Sequence, residues 1–305
     1  MSKRAFIFPG QGSQFVGMAN DLYDNFDQVR DLYRTANEIL EFDLAQVCFQ
    51  GPEEALKQTR LTQPAIFVHS AALNHLVRER DLAADMAAGH SLGEYSALHS
   101  AGALTFEDGL RLVKLRAELM QTAGEMNAGT MAAVIGLNAA TLERVCDEAS
   151  GAGIVGVANF NSPSQIVISG STAGVERAMA IAKESGAKRV VPLVVGGAFH
   201  SLLMEYAAAG LGEGLDRVQI ENGAVPVYSN VTARPVTDAK EIRRLLLKQL
   251  TRPVRWMEII ENMIADGATE FYEIGPGSVL TGLLRRICRE VTGKTINSVE
   301  SLESL

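Results

Sequence analysis

The sequence predicts an α/β fold in which a parallel sheet, covered by helices on both faces, carries a smaller inserted subdomain. Three observations support this prediction. Short apolar segments alternate with longer amphipathic segments along most of the 305 residues. A glycine-rich turn follows the first apolar segment, which is typical of a strand that leads into a helix. The middle of the chain has a β-α-β-β-α-β order that differs from its surroundings.

The N-terminal part supplies the first elements of the parallel sheet. Residues 5–8 form an apolar strand that Pro9-Gly10-Gln11-Gly12 ends, and residues 85–90 form a second strand of small apolar residues. Helical patterns dominate between these two strands. Two further helices are predicted at residues 91–101 and 105–125.

The inserted subdomain is predicted to span residues 129–197, so that residues 1–128 and 198–305 form the main subdomain. The order β-α-β-β-α-β within the insert is that of ferredoxin-like folds. Its predicted elements are strands at residues 131–137, 154–160, 165–169 and 188–195, and helices at residues 139–149 and 172–185.

Strands and helices alternate again after the insert. The predicted elements are strands at residues 226–229 and 269–274, and helices at residues 200–215, 239–250 and 253–266 and beyond residue 277. Because strands separated by helices pair in parallel, these strands extend the sheet that the N-terminal part begins.

Composition excludes several classes of function. Hydrophobic residues make up 47% of the chain and charged residues 21%, which are the values of an ordinary globular protein. A net charge of −8 argues against a nucleic-acid-binding protein. No segment approaches the length of about 20 apolar residues that crosses a membrane, and we expect no signal peptide. Three scattered cysteines and unpatterned histidines predict no metal site and a cytoplasmic location.

The strongest local signal for chemistry is Gly89-His90-Ser91-Leu92-Gly93. It is a GxSxG motif between a predicted strand and a predicted helix, the context of a nucleophile elbow. Glycine is needed on both sides of Ser91 because a side chain would crowd the tight turn. The helix that follows directs free backbone N–H groups at a developing oxyanion. The alternative is a plain turn.

A nucleophilic serine needs a base, and His200 is the best candidate. His90 adjoins the serine, but neighbouring side chains at a sharp turn point apart. His69 and His75 lie within a predicted helix, and His99 lies near the end of the helix after Ser91. His200 follows two glycines at the junction where the insert returns to the main sheet. A structural role for His200 stays open on this pattern alone.

Arg116 interrupts the apolar face of its predicted helix. Its neighbours at spacings of three and four, among them Leu112, Val113, Leu119 and Met120, are apolar. A buried arginine is costly unless it is paired. The sequence leaves two interpretations open: a structural pair with a buried carboxylate of the protein, or a fixed guanidinium that holds a substrate carboxylate in two hydrogen bonds.

Gln11 lies at the carboxyl end of the first strand, where open α/β sheets bind ligands. Its glycine-flanked backbone can supply a second N–H to an oxyanion. The loop lacks the third glycine of a dinucleotide-binding loop, so we expect no such cofactor.

These segments resemble one family, the malonyl-CoA:acyl carrier protein transacylases of fatty acid synthesis. The resemblance covers nearly the whole chain. The matching segments are the FPGQGSQ segment at residues 8–14, GHSLGEYSA at residues 89–97, the arginine segment at residues 111–116, FHS at residues 199–201, and the glutamine segment at residues 249–256. The resemblance implies an α/β-hydrolase-like main subdomain with a ferredoxin-like insert.

The resemblance also implies roles for individual residues. Ser91 would be the nucleophile and His200 the base, and the backbone N–H groups of Gln11 and Leu92 would form the oxyanion hole. Arg116 would hold the malonyl carboxylate. Gln249 would lie beside Ser91 and His200, and its backbone carbonyl would orient the histidine. Asn161 would line the pocket. Phe199 would do so too, and its size favours malonyl over branched malonyl groups.

The function implied is a ping-pong transfer of malonyl from malonyl-CoA to the phosphopantetheine thiol of an acyl carrier protein, through a malonyl-serine ester. Malonyl-CoA is the substrate, the carrier is a transient partner, no cofactor stays bound, and we expect a monomer. Three alternatives stay open: an acyltransferase that serves a polyketide synthase, a serine esterase or thioesterase, and a carrier-binding module without activity.

Overall fold

A computed structural model describes residues 2–305 of the chain, and their strands form two separate sheets. The strands are β1 (Lys3–Phe8), β2 (Met86–Gly89), β3 (Gly129–Ile135), β4 (Val155–Ser162), β5 (Gln165–Ser171), β6 (Arg189–Leu193), β7 (Val227–Tyr228), β8 (Pro235–Val236), β9 (Ala268–Ile274) and β10 (Thr292–Ile296).

Helices cover both faces of the larger sheet and one face of the smaller sheet. The helices are α1 (Asn20–Asn25), α2 (Asp27–Leu40), α3 (Leu44–Gln50), α4 (Glu53–Leu56), α5 (Thr59–Arg78), α6 (Gly93–Ser100), α7 (Phe106–Met126), α8 (Ala139–Ala149), α9 (Thr172–Glu184), α10 (Glu205–Leu215), α11 (Ala239–Gln249), α12 (Trp256–Ala265), α13 (Val279–Ile287) and α14 (Val299–Glu303). In the described part of the chain, no helix combines the length and apolarity that a membrane crossing requires.

The larger sheet has the strand order β10-β9-β1-β2-β7-β8 and is parallel except for the last strand. Strand β1 explains how helices come to lie on both faces. Its alternating side chains divide between two cores: Phe6 and Phe8 enter one, and Ala5 and Ile7 enter the other. Such an apolar strand is stable only when both faces are covered.

The smaller sheet is antiparallel, with the order β4-β5-β3-β6. Together with α8 and α9 it has the predicted β-α-β-β-α-β order, so the prediction of a ferredoxin-like unit is confirmed. Strand β3 again serves two cores: Ala132 and Val134 pack under the two helices, whereas Met131 and Ala133 belong to the core of the larger sheet. The predicted boundaries at residues 129 and 197 stay predictions.

A short backbone pairing joins the smaller sheet to the segment between α11 and α12 of the main subdomain. Phe160 in β4 donates its N–H to the Val254 carbonyl across 2.9 Å, and Val254 donates to the Ala158 carbonyl across 2.8 Å. Because Val254 follows α11 by a few residues, this pairing holds β4 against the end of that helix.

The sequence prediction missed β8, β10 and α14 and misplaced several helix starts, two of them beside site residues. Helix α6 begins at Gly93, two residues after the serine, and α10 begins at Glu205 after a short 3₁₀ turn at Leu202–Met204. Ser91 and His200 therefore lie in the loops that precede helices. Both have positive φ, 51° and 56° respectively, which a helix does not allow.

Candidate active site

The GxSxG motif forms a sharp turn between β2 and α6. Ser91 occupies its apex with a φ of 51°. A Cβ on Gly89 would lie 1.8 Å from the carbonyl carbon of Gly93, and a Cβ on Gly93 would lie 2.1 Å from the carbonyl oxygen of Phe8. Only glycine fits at either position, and the turn holds Ser91 at the carboxyl end of β2, beside the end of β1.

Ser91 and His200 are in hydrogen-bond contact although they are far apart in the chain. The Ser91 Oγ lies 2.7 Å from Nε2 of His200, and Nδ1 of His200 lies 2.9 Å from the backbone carbonyl of Gln249. A carbonyl only accepts, so Nδ1 carries the ring proton and Nε2 is free to accept the serine proton.

Arg116 is completely buried in α7 and is directed at the serine. Its Nη1 donates to Oε1 of Gln63 across 2.6 Å, and its Nη2 donates to Ser91 Oγ and to Oε1 of Gln249, each across 3.0 Å. No carboxylate oxygen within residues 2–305 forms an ion pair with it at 4.0 Å or less. Of the two interpretations that the sequence left open, the direct structural ion pair does not fit.

Burial and the nearby cation keep the histidine uncharged. Removal from water, and to a smaller extent the positive charge of Arg116, lower the pKa of His200 to about 3. Burial has the opposite effect on an acid and raises the pKa of Glu94 to about 7. At neutral pH His200 is therefore an unprotonated base.

The Gln11 and Leu92 backbones flank the same cavity as Ser91. Gln11 lies in the loop after β1, and Leu92 immediately precedes α6. Within the described residues, neither backbone N–H has a hydrogen-bond acceptor. Two free N–H groups beside a nucleophile can stabilise an oxyanion.

The cavity in front of Ser91 has a volume of about 170 Å³ and is lined by both subdomains. Phe199 and Asn161 contribute to its wall, as the sequence analysis expected of them. His90 also lines it, where its Nε2 lies 2.9 Å from Oδ1 of Asn161. His69, His75 and His99 lie outside this wall. Gln249 stands behind Ser91 and Arg116, so all eight predicted site residues come together.

Three buried polar residues that the sequence did not predict support this arrangement. Gln63 in α5 accepts from Arg116, and Glu94 in α6 accepts from Gln249. Asn230, which follows β7, accepts from the Ser91 N–H and donates to the Gly89 carbonyl, each across 2.7 Å. Asn230 was detectable in principle, because it follows a predicted strand at the edge where Gln11 and Ser91 lie.

A serine on a strained turn, a neutral histidine and two free N–H groups define a class of enzymes that form acyl-serine esters. Comparison with known proteins gives the family. Residues 5–303 match the family model described as the acyl transferase domain. The chain therefore belongs to the acyl transferase family and is an acyltransferase.

Full-length relatives agree with this assignment. The chain is 46% identical over 304 residues to the malonyl CoA-acyl carrier protein transacylase of Bacillus subtilis, covering 99% of this chain and 96% of that protein. It is 43% identical over 303 residues to the protein of the same name from Escherichia coli K12, covering 99% and 98%.

Solved structures show the same two-subdomain fold. An acyl carrier protein S-malonyltransferase from Vibrio cholerae superposes with a TM-score of 0.96 at 42% identity, covering 99% of each chain. A malonyl-transacylase solved in complex with a type II polyketide synthase acyl carrier protein also gives 0.96 at 42% identity, covering 99% of this chain and 98% of that chain.

Proposed function

We propose that this enzyme transfers a malonyl group from malonyl-CoA to the phosphopantetheine thiol of an acyl carrier protein, through an ester on Ser91. The single observation that carries the proposal is the buried guanidinium of Arg116, 3.0 Å from Ser91 Oγ and without a carboxylate in direct contact among the described residues. A cation in that position selects an acyl group that ends in a carboxylate. Full-length relatives with 41–46% identity carry the name of this activity.

The first half-reaction forms the malonyl ester. His200 Nε2 takes the hydroxyl proton as Ser91 Oγ attacks the thioester carbonyl, and the N–H groups of Gln11 and Leu92 bind the resulting oxyanion. When the tetrahedral intermediate collapses, the carbon–sulfur bond breaks and His200 returns the proton to the coenzyme A thiolate. The Gln249 carbonyl stabilises the protonated ring at Nδ1 in between.

The second half-reaction repeats these steps with another thiol. His200 takes the proton of the phosphopantetheine thiol, whose sulfur attacks the ester carbonyl, and the proton then passes to Ser91 Oγ as the ester bond breaks. The two thiols enter in turn, which is a ping-pong order. No permanently bound cofactor is needed at any step.

The acyl pocket fits a short dicarboxylic group. Arg116 holds the malonyl carboxylate, and Phe199 and Asn161 close the wall of a cavity of about 170 Å³. Phe199 is bulky and stands next to the base, which favours malonyl over a branched malonyl group.

We infer that the enzyme supplies fatty acid synthesis, the pathway that the sequence resemblance implies. A polyketide synthase carrier is the second candidate recipient, because one neighbouring structure contains a carrier of that kind. We also propose a cytoplasmic location, which suits the free thiols of Cys48, Cys146 and Cys288. A monomeric state and the absence of nucleic-acid binding stay predictions from the sequence.

Intact mass measurement tests the proposal directly. Purified enzyme and Ser91→Ala are mixed briefly with malonyl-CoA, and carrier protein with its phosphopantetheine arm is then added. We expect a malonyl adduct on the wild type alone, followed by its transfer to the carrier thiol. An adduct that decays to free malonate without reaching the carrier would indicate a hydrolase, and no adduct would indicate a binding module.

A further inference from the structure

Glu94 is a buried acid directly behind the nucleophile that the proposed steps do not use. It lies in the first turn of α6, three residues after Ser91, and is only 3% exposed. Its Oε2 accepts a hydrogen bond from Nε2 of Gln249 across 2.7 Å and another from the Asn230 N–H across 3.3 Å. A buried carboxyl group with two such partners is held in a fixed position.

The side-chain amide of Gln249 lies between Glu94 and Arg116. Its Nε2 donates to Glu94 and to the Ser91 carbonyl, and its Oε1 accepts from Nη2 of Arg116. A guanidinium only donates, so it needs the oxygen end of the amide. Glu94 presents Oε2 as an acceptor whether it is ionised or protonated on Oε1. It therefore pairs with the NH₂ group of the Gln249 amide, which donates. The two groups together allow one orientation of the amide.

We propose that Glu94 is a positioning residue for the acyl carboxylate, acting through the Gln249 amide to hold the Arg116 guanidinium at the acyl pocket. The inference deepens the proposed function and rests on it. Without Glu94 the amide nitrogen loses its shortest hydrogen bond and keeps the Ser91 carbonyl at 2.9 Å and Oδ1 of Asn230 at 3.5 Å, so the oxygen that holds Arg116 is less firmly oriented.

The intervening amide also has an electrostatic purpose. Direct contact with a protein carboxylate would occupy the guanidinium and compete with the substrate. Gln249 separates the guanidinium from the carboxyl group, so the ionised form of Glu94 lowers the cost of burying the cation while the Arg116 contact with Ser91 Oγ remains exchangeable. The other ionisable groups nearby are neutral, because burial lowers the pKa of His200 and His90 and raises the pKa of Tyr95 to about 12.

The test compares ester formation from malonyl-CoA and from acetyl-CoA, since only the malonyl group uses Arg116. Initial rates over a range of thioester concentrations are measured by intact mass for the wild type, Glu94→Ala and Glu94→Gln. We expect Glu94→Ala to lose about tenfold or more in the malonyl-to-acetyl rate ratio, mainly through a higher KM for malonyl-CoA. Glu94→Gln keeps an oxygen acceptor and should recover most of that ratio.

The chain offers a matched control in Glu273, another fully buried glutamate. Glu273 accepts from the N–H groups of Leu280 and Thr281 at the start of α13, across 2.9 and 2.7 Å, and does not line the cavity. Glu273→Ala should leave the malonyl-to-acetyl ratio unchanged. If Glu94→Ala does not fold, Glu94→Met fills its volume without providing an acceptor and replaces it in the comparison.

Two results for Glu94→Ala would overturn the inference. One is an equal loss of rate with malonyl-CoA and acetyl-CoA, which would mark Glu94 as a purely structural residue. The other is a pair of rates that both stay at their wild-type values. The wild type serves as the separate check on the proposed function. If the wild type forms no malonyl ester, the proposed function fails. If the wild type forms the ester and Glu94→Ala keeps the wild-type malonyl-to-acetyl rate ratio, only the role of Glu94 is rejected.

Discussion

The Arg116 guanidinium and the Ser91 hydroxyl are in direct contact, with Nη2 donating to Oγ across 3.0 Å. The same Oγ lies 2.7 Å from the base nitrogen of His200. On the proposed function, the residue that holds the acyl carboxylate therefore touches the nucleophile directly. An arriving carboxylate can replace the hydroxyl as the acceptor of Nη2, which couples recognition of the acyl group to release of the nucleophile.

Arg116→Ala should abolish selectivity for the dicarboxylic acyl group. Loss of one partner of a buried charge pair costs about 2–5 kcal/mol, or roughly 30-fold to several thousand-fold in rate. Rates of ester formation should fall by this factor with malonyl-CoA and much less with acetyl-CoA. Arg116→Lys keeps the charge but not the planar fork, so it should recover only part of the malonyl rate. Undiminished malonyl transfer in Arg116→Ala would show that the assignment is wrong.

The base should stay active in mildly acidic solution. Because the pKa of His200 is lowered to about 3, the ring is unprotonated well below neutral pH. The rate at which a neutral sulfonyl fluoride modifies Ser91 should change by less than about twofold between pH 5 and pH 7.5, whereas a histidine with an ordinary pKa near 6.5 would lose about 30-fold. The reagent carries no carboxylate, so the measurement does not depend on the binding of an acyl carboxylate by Arg116. Circular dichroism at each pH checks that the protein remains folded.

Two glycine substitutions should have opposite effects on stability. Gly89→Ala forces a Cβ to within 1.8 Å of backbone in the serine turn, so it should cost at least about 1–3 kcal/mol and stop ester formation. Gly282→Ala, in α13, meets no atom within 4 Å and should raise stability by about 0.5–1 kcal/mol. Thermal unfolding measures both. Normal ester formation by Gly89→Ala would contradict the steric argument.

Asn230→Ala should impair the serine turn without changing substrate preference. It leaves the Ser91 N–H and the Gly89 carbonyl without their side-chain partner, at a cost of about 1–3 kcal/mol. We expect a lower melting temperature and equal losses in malonyl and acetyl ester formation. Asn230→Asp still accepts from the Ser91 N–H but cannot donate to the Gly89 carbonyl. Its melting temperature and its rates of ester formation should lie between those of the wild type and Asn230→Ala. A change confined to the malonyl rate would place Asn230 with Arg116 instead.

Local sequence predicted the elements of this fold whose chemistry is contained within a few residues. The GxSxG motif required a sharp turn before a helix, and the apolar pattern around Arg116 required a buried arginine. Strand β10 was missed because its buried position, Ile296, is preceded by polar and small residues that give no strand pattern. Strand β8 has only two residues and forms through its pairing with β7.

The supporting polar residues were beyond the reach of local patterns for a different reason. Glu94 contacts Gln249 across 155 residues of sequence, and Arg116 contacts Gln63 across 53. A glutamate in the first turn of a helix is ordinary on a solvent-exposed surface. Glu94 contributes to the site only because the fold buries it behind the serine. This burial depends on how helices that are distant in the sequence pack together.

The acyl cavity has consequences for how the enzyme responds to its surroundings. At about 170 Å³ it has space for one short acyl group with the end of one thiol arm. On the proposed function, coenzyme A and the carrier arm must therefore use the same space at different times, and each is a competitor of the other. Free coenzyme A should slow delivery to the carrier and return the acyl group to its donor. The rate of delivery thus follows the balance between free and acylated coenzyme A.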